Sequence, residues 1–501
     1  MEQGRRRQRR RRLEGGRWAR QSDEPLVMRR DARQRASGDR GASLGVQGGP
    51  AGRGPRTKRG MERMTKTSVG VQELRTRIGE KAKAEPTHRF WGLYTHVWKL
   101  DVLREAYQLA KSNNGAPGVD GVSFEQVERE GIEPMLEALS QELRDKTYDP
   151  LPSRHVNIPK EGGKVRGLKI PAIRDRVVQG AVRLILEPIF EADFQPGSYG
   201  YRPGRSAHDA LDRVRVGLVK QLHHVIDLDL ESFFDTVRHD LLLTKIARRV
   251  QDDDVLCLCK RILKASGKRG LPQGSVIGPL WANVFLDGVD RMLEQAQSAT
   301  HQGDYEVVRY TRFADDLIVL VSSHPTASHW APKVEQRLRE ELRKLDLTVN
   351  EEKSHVVNFG DGEAFDFLGY TFRWVDSDGS PRKKMVLARP RKKKRTEFLR
   401  KLGAVMRKCL HRPIVEVVRR IVNPRVRGWV NFFRWGNAGR DLAFVAWQVD
   451  MKVRRFASRQ RPKRRGGRAW TTWSAEEIYA TWGLFHEYRV LPRSEPRRLR
   501  G

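Results

Sequence analysis

The sequence is expected to fold as a mixed α+β body followed by an all-helical domain, and three observations carry that expectation. Between about residues 88 and 370, helical patterns such as 177–190 alternate with short β-rich runs such as 225–230 and 317–321. From 382 to 401 the chain reads RKKMVLARPRKKKRTEFLRK, with 11 Lys and Arg and the single acid Glu397, which marks a boundary by composition. Beyond it, apolar residues recur at helical spacing: Phe398, Leu402, Val405 or Met406, and Cys409, then Leu442, Val445, Val449 and Phe456. Basic residues fill the opposite faces, so each helix has one apolar stripe and a cationic exterior.

Taken in order, residues 1–60 carry 18 Lys and Arg against 6 acids, with many Gly and almost no large apolar residues. Such a composition builds no core and predicts disorder. It reads either as a basic nucleic-acid arm or as an extension upstream of a natural start at Met61 or Met64, where MERMTKTSVGVQELRTRI resumes ordinary mixed sequence. The second reading is preferred.

In the central body, VIDLDLESFFD alternates through Ile226, Asp227, Leu228, Asp229 and Leu230. A strand there puts the aliphatic residues on one face and both acids on the other, so one face is core and the other a site. Further on, TRFADDLI places Asp315 and Asp316 inside an apolar, β-prone stretch. The arms VVRYTRF and LIVLV predict a hairpin with the acidic pair near its turn. If that hairpin pairs beside the first strand, Asp229, Asp315 and Asp316 converge. Three carboxylates in one pocket repel one another and call for divalent cations. Mg²⁺, which takes oxygen ligands and keeps waters and phosphates, is the expected metal. Two such ions would serve in-line nucleotidyl transfer.

The 501 residues hold 97 Lys and Arg against 62 Asp and Glu, a net +35. That excess falls in blocks and favours a polyanionic partner through counterion release. Only Cys257, Cys259 and Cys409 are present, which excludes a disulfide framework and a paired-CxxC zinc site and points to a reducing compartment. No run of 18 apolar residues and no signal-peptide core occurs, so no membrane association is expected.

Read in order, IPKEGGKVRGLKIP (158–171), SYGYRPGRSAHDAL (198–211), DLDLESFFD (227–235), LPQGSVIGPLWANVFL (271–286), RFADD (312–316), LTVNEEKS (347–354) and FDFLGYTF (365–372) resemble the ordered blocks of reverse transcriptases. NNGAPGVDG (113–121) and RVRGWVNFFRW (425–435) resemble the amino-terminal extension and the maturase domain of bacterial group II intron-encoded proteins. The resemblance covers roughly residues 88–440. It implies a right-hand polymerase, with fingers and palm over 61–385 built as an antiparallel sheet packed on helices, and a helical thumb and maturase domain over 386–470. It further implies a short tail over 471–501 without an HNH nuclease, since that stretch has no Cys and only His486. Second-strand cleavage of a DNA target is then not expected.

By the same resemblance, Asp229, Asp315 and Asp316 are the catalytic metal ligands for two Mg²⁺ ions, with Asp227 an outer group. Phe234, five residues after Asp229, selects deoxynucleotides by crowding the sugar 2′ position. Lys160, Lys164 and Arg166 fall in a fingers hairpin that grips the incoming dNTP, although Gly167 stands where many relatives have Pro. Gln273 and Gly274 contact the nascent base pair, Lys353 acts as a general acid near the leaving pyrophosphate, and Phe367–Phe372 supports the primer end. Lys392, Lys393, Lys394, Arg395 and Arg427 are expected to bind RNA, while Trp429, Phe432 and Phe433 are mostly core rings. The implied function is RNA-directed DNA synthesis coupled to intron splicing and mobility, as a ribonucleoprotein in a bacterial cytoplasm. The implied partners are intron RNA, an RNA template, a DNA primer or target and dNTPs, with a homodimer left open. Retron or defence reverse transcriptases lack the long helical domain after FLGYTF, and a splicing-only maturase would not need all three acids.

Overall fold

A computed structural model describes residues 69–159, 165–301, 303, 305–377, 380–460 and 473–491. The expected extension over 1–60, both candidate start methionines, and Lys160 and Lys164 lie outside the described residues, and the side chain of Arg166 is not described.

The IPKEGGKVRGLKIP block forms two antiparallel strands, β1 (Arg154–Pro159) and β2 (Val165–Ile170), with Asn157 opposite Gly167 and Ile158 opposite Arg166. The helix Ile173–Asp193 follows and is buried on nearly every side. Its length and burial suit a central core helix, which also buries Asp175, Arg176, Gln179 and Glu187. Arg176 on that helix is buried and donates to the carbonyls of Pro171 at 2.9 Å and Gly115 at 3.2 Å. The NNGAPGVDG segment is thereby tied to the base of the hairpin. Gly118 is required there, because a Cβ would stand 2.5 Å from Ala172 Cα.

Four further strands, β3 (His224–Leu228), β4 (Val308–Phe313), β5 (Asp316–Val321) and β6 (His355–Asn358), form one antiparallel sheet in the order β4-β5-β3-β6. Ile226, Leu228, Tyr310, Val319 and Val321 enter one core with the helices Ile173–Asp193 and Gly278–Thr300. Val225, Ile318 and Leu320 point the opposite way into a second core. The expectation of one core face and one site face is therefore corrected. The face bearing Asp227 is itself core at Val225 and turns acidic only at its end, because the second half of the chain packs over it.

That second core is built by the helix Ala207–Val219, a three-stranded meander and the C-terminal helices. The meander comprises β7 (Phe365–Phe367), β8 (Tyr370–Ser377) and β9 (Ser380–Pro390). Leu368 and Gly369 make the β7–β8 turn with φ of 47° and 80°, which suits a two-residue hairpin loop between paired Phe367 and Tyr370. The compositional boundary at 385/386 falls inside β9, whose Val386 and Ala388 are buried in the second core.

The helices Lys392–Lys408, Asn423–Phe433 and Gly439–Gln460 follow. Their buried stripes are Leu399, Leu402 and Met406 on the first, and Leu442, Val445, Val449, Val453 and Phe456 on the last. A π-helical turn, Val417–Val422, precedes Pro424, which has no N–H to give a regular helical ladder. Trp473, Ile478, Trp482, Leu484 and Phe485, expected in a tail, are buried in the same core. Their aromatic and aliphatic bulk explains the difference. No helix among the described residues is long and apolar enough to cross a membrane.

Candidate active site

In the β4–β5 hairpin Phe313 pairs with Asp316, leaving Ala314 and Asp315 as its two-residue turn. Ala314 sits at φ 60°, a left-handed conformation that a residue with a side chain adopts only when its surroundings hold it there. Arg312 supplies part of that hold. Its guanidinium is fully buried and donates to the Ala314 carbonyl at 2.8 Å, to Asn283 Oδ1 at 3.0 Å, to Ser198 Oγ at 2.8 Å and to Asp290 Oδ1 at 2.8 Å. Gly200 supplies the rest, since a Cβ there would fall 2.2 Å from the Ala314 nitrogen. The SYGYRPG and RFADD blocks thus lock one turn between them. The cation nearest to the acidic pair in sequence is spent on Asp290 rather than on the pair.

The antiparallel register of β3 and β5 sets Leu228 opposite Leu317, and one step further it carries Asp229 to Asp316. Asp229 is held from the far side by the LTVNEEKS segment. Its N–H donates to Ser354 Oγ at 3.1 Å, its carbonyl accepts from the Asn350 N–H at 2.8 Å, and its carboxylate accepts from Lys353 Nζ at 2.9 Å. The hydrogen bond to Asp229 raises the pKa of Lys353, so the ammonium is kept charged.

The electrostatics of this end of the sheet are those of crowded negative charge. Asp316 keeps contact with solvent, yet the surrounding protein, then Asp315 and Asp229, push its carboxyl up to about 6, with Lys353 opposing. Asp227 is pushed up to about 7 by burial, then by Asp316, Asp229 and Asp366. Among the described residues no three acidic, His or Cys side chains close into a ready-made cage. The group is an open set of hard oxygen donors whose mutual repulsion a divalent cation would relieve.

Phe234 lies half-buried in the short helix Phe233–Thr236, edge-on to Phe233 with ring centroids 5.5 Å apart. Its carbonyl accepts from the Leu271 N–H at 2.6 Å, and a Cβ on Gly270 would stand 2.8 Å from it, so the LPQG loop presses directly on this helix. Gln273 Nε2 donates to Asp235 at 3.2 Å, and the Gln273 carbonyl accepts from the Lys169 N–H at 2.9 Å. The structure therefore joins β2, the LPQG loop and the Phe234 helix.

The basic residues behave differently from one another. Lys392, Lys393 and Lys394 are exposed on the first turn of their helix, whereas Arg395 is half-buried and donates to Asp441 at 2.6 Å. Arg427 is exposed with its guanidinium 5.6 Å from the Phe485 ring. Trp429 and Phe433 are buried as expected, while Phe432 stays at the surface. The Phe432 carbonyl accepts from the Tyr370 hydroxyl at 2.8 Å, so the FLGYTF turn docks on the RGWVNFF helix.

Sequence reasoning missed Ser354, Asn350, Asp235 and Asp290. Ser354 and Asn350 stood within the quoted LTVNEEKS block as polar neighbours of Lys353, and Asp235 closed the DLDLESFFD block. Asp290 had no local signal.

Residues 158–372 match the family model described as reverse transcriptase (RNA-dependent DNA polymerase), and residues 395–474 match the group II intron, maturase-specific domain. Protein YkfC of Escherichia coli K12 is 33% identical over 344 residues, 60% of this chain and 87% of that protein. The group II intron-encoded protein LtrA of Lactococcus lactis is 25% identical over 510 residues, 82% of this chain and 81% of its own. A putative COX1/OXI3 intron 1 protein of Saccharomyces cerevisiae is 28% identical over 325 residues, 54% of this chain and 38% of its own.

Proposed function

The chain belongs to the group II intron-encoded reverse transcriptase and maturase family, and from that premise we propose that Asp229, Asp315 and Asp316 hold two Mg²⁺ ions where RNA is copied into DNA. It is an RNA-directed DNA polymerase with a maturase domain that engages intron RNA. It works in a ribonucleoprotein of the bacterial cytoplasm.

Asp229, Asp315 and Asp316 would hold the two divalent cations, which would supply activation of the primer hydroxyl and charge stabilisation of the leaving oxygen in an in-line displacement. Lys353 keeps a proton on Nζ through its bond to Asp229 and delivers it toward the departing pyrophosphate. Phe234, backed by Phe233, crowds the sugar edge of the incoming nucleotide. Gln273, steadied by Asp235, lies against the nascent base pair. Lys160 and Arg166 neutralise the triphosphate. Lys392, Lys393, Lys394 and Arg427 hold RNA phosphates, and Arg395 steadies their helix. Lys160, Arg166 and the three lysines rest on the family blocks and on charge.

The observation that carries this reading is the register of β3 and β5, which brings Asp229 to Asp316 beside Asp315 in the hairpin turn, with Lys353 donating to Asp229 at 2.9 Å; burial, and after it the neighbouring carboxylates, push Asp316 and Asp227 upward there. The test is primer extension on an RNA template with Mg²⁺. Asp315→Asn with Asp316→Asn is expected to lower cDNA synthesis by at least about a thousandfold, from the loss of metal-borne charge stabilisation, while intron RNA binding persists. Equal loss of both activities in a folded double variant would contradict the assignment.

A further inference from the structure

The helix Gly439–Gln460 turns Leu442, Val445, Val449 and Val453 into the second core. Arg440, Phe444 and Trp447, at i, i+4 and i+7, therefore share an outward strip. Phe444 is 37% exposed and Trp447 51% exposed, and their ring centroids lie 6.3 Å apart. The neighbouring helix joins this strip through Arg395, whose guanidinium carbon sits 4.2 Å from the Phe444 ring centre while it donates to buried Asp441. Lys392, one turn before Arg395, lies on the same side of that helix.

Two features of this surface oppose stability. Lysines on the first turn of a helix stand at the positive end of its dipole. An indole half in water forgoes burial that the same helix gives to five aliphatic and aromatic neighbours. A merely solvated face needs neither. Cations select a polyanion, and paired duplex offers phosphates without a free base face, whereas unpaired RNA offers both. We infer that Phe444 and Trp447, flanked by Lys392 and Arg440, form a stacking platform for an unpaired RNA base, with the lysine on its adjoining phosphate. This rests on the RNA-binding reading of the helix Lys392–Lys408 and adds the chemistry that the ligand must present.

The experiment uses the full chain and two labelled RNAs, a hairpin with an unpaired loop and a blunt duplex of the same stem. Trp447→Ala is expected to weaken hairpin binding about tenfold, the scale of one lost base stack. Duplex binding and the salt slope should not change, and Trp447→Phe should restore most of the loss. No loss on the hairpin, or equal loss on both RNAs, overturns the platform. Dissociation of a dimer in light scattering, with RNA affinity intact, also overturns it and gives the strip to a second copy. Lys392→Gln with Lys394→Gln tests the parent reading separately, through a shallower salt dependence.

Discussion

At Asp316 and Asp227 the fold holds negative charge against its own field, and the pH dependence follows from that. An unfolded aspartate titrates at about pH 3.9, while burial and then the neighbouring carboxylates push these two up to about 6 and about 7 in the fold. Between those values the folded chain binds more protons than the unfolded one, so these groups lower stability as pH rises from about 4 to about 7. A cation that binds their ionised forms reverses this. Thermal denaturation should show Mg²⁺ raising Tm more at pH 8 than at pH 5, and Asp316→Asn should reduce both that gain and the metal-free fall. A Mg²⁺ effect that is equal at the two pH values, and unchanged in the variant, would remove these acids as the binding site. The acidic pair was legible because it interrupts an apolar alternation, and Asp227 was visible on the same strand face. What fixes the turn was not, since Arg312 spends its charge on Asp290, 22 residues away, and Asp229 leans on Ser354 across 125 residues. Such partners are chosen by the tertiary packing, which local spacing does not report.

At the level of elements, the basic helix Lys392–Lys408 contains two kinds of cation that the run KKKR conceals. Arg395 lies over Phe444 and shares the buried Asp441 carboxylate with Arg389, which donates to it at 2.8 Å. Its substitution by Gln should cost about 1–3 kcal/mol, because a buried carboxylate loses one of two charged donors, and calorimetry of the folded chain checks this. Lys392→Gln with Lys394→Gln should act with the opposite sign on stability, raising it by a few tenths of a kcal/mol as like charge leaves the helix N-terminus. The same variant should weaken RNA binding. If Arg395→Gln left Tm unchanged and flattened the salt slope of binding, the two roles would have to be exchanged. Helical periodicity found Leu402, Leu442, Val445, Val449 and Phe456 correctly. It placed Phe398 on the stripe where Leu399 is the buried residue, because Phe398 stacks on Trp429 at 5.3 Å from the partly covered side. The docking of FLGYTF on RGWVNFF was invisible for a related reason. It depends on Tyr370 meeting the Phe432 carbonyl and on Gly369 lying where a Cβ would stand 3.4 Å from the Phe433 ring, contacts between blocks some sixty residues apart.

Across the whole molecule the two functions share one core. Val225, Ile318 and Leu320 of the catalytic sheet belong to the same apolar cluster as Val418, Val445, Trp473 and Phe485 of the helical region. The compositional break near residue 385 is therefore a change in surface charge rather than in packing, which is why β9 runs straight through it. Residues 473–491 close this cluster. Asn423 donates to the Gly483 carbonyl at 2.8 Å and accepts from the Phe485 N–H at 2.9 Å, while Trp473, Ile478, Trp482, Leu484 and Phe485 are all buried. Five such side chains at about 1.5–3 kcal/mol each amount to roughly 7–15 kcal/mol, as large as the stability of a typical domain. Ending the chain after residue 472 should therefore expose the second core and lose intron binding and cDNA synthesis together, unlike the acidic-pair variant, which loses only synthesis. Limited proteolysis should find the truncated helices cleaved first and the sheet soon after, since Val225, Ile318 and Leu320 belong to the same apolar cluster as those helices. A soluble truncated protein with full primer extension would show instead that the catalytic sheet is closed without these residues, and would divide the cluster into two independent cores.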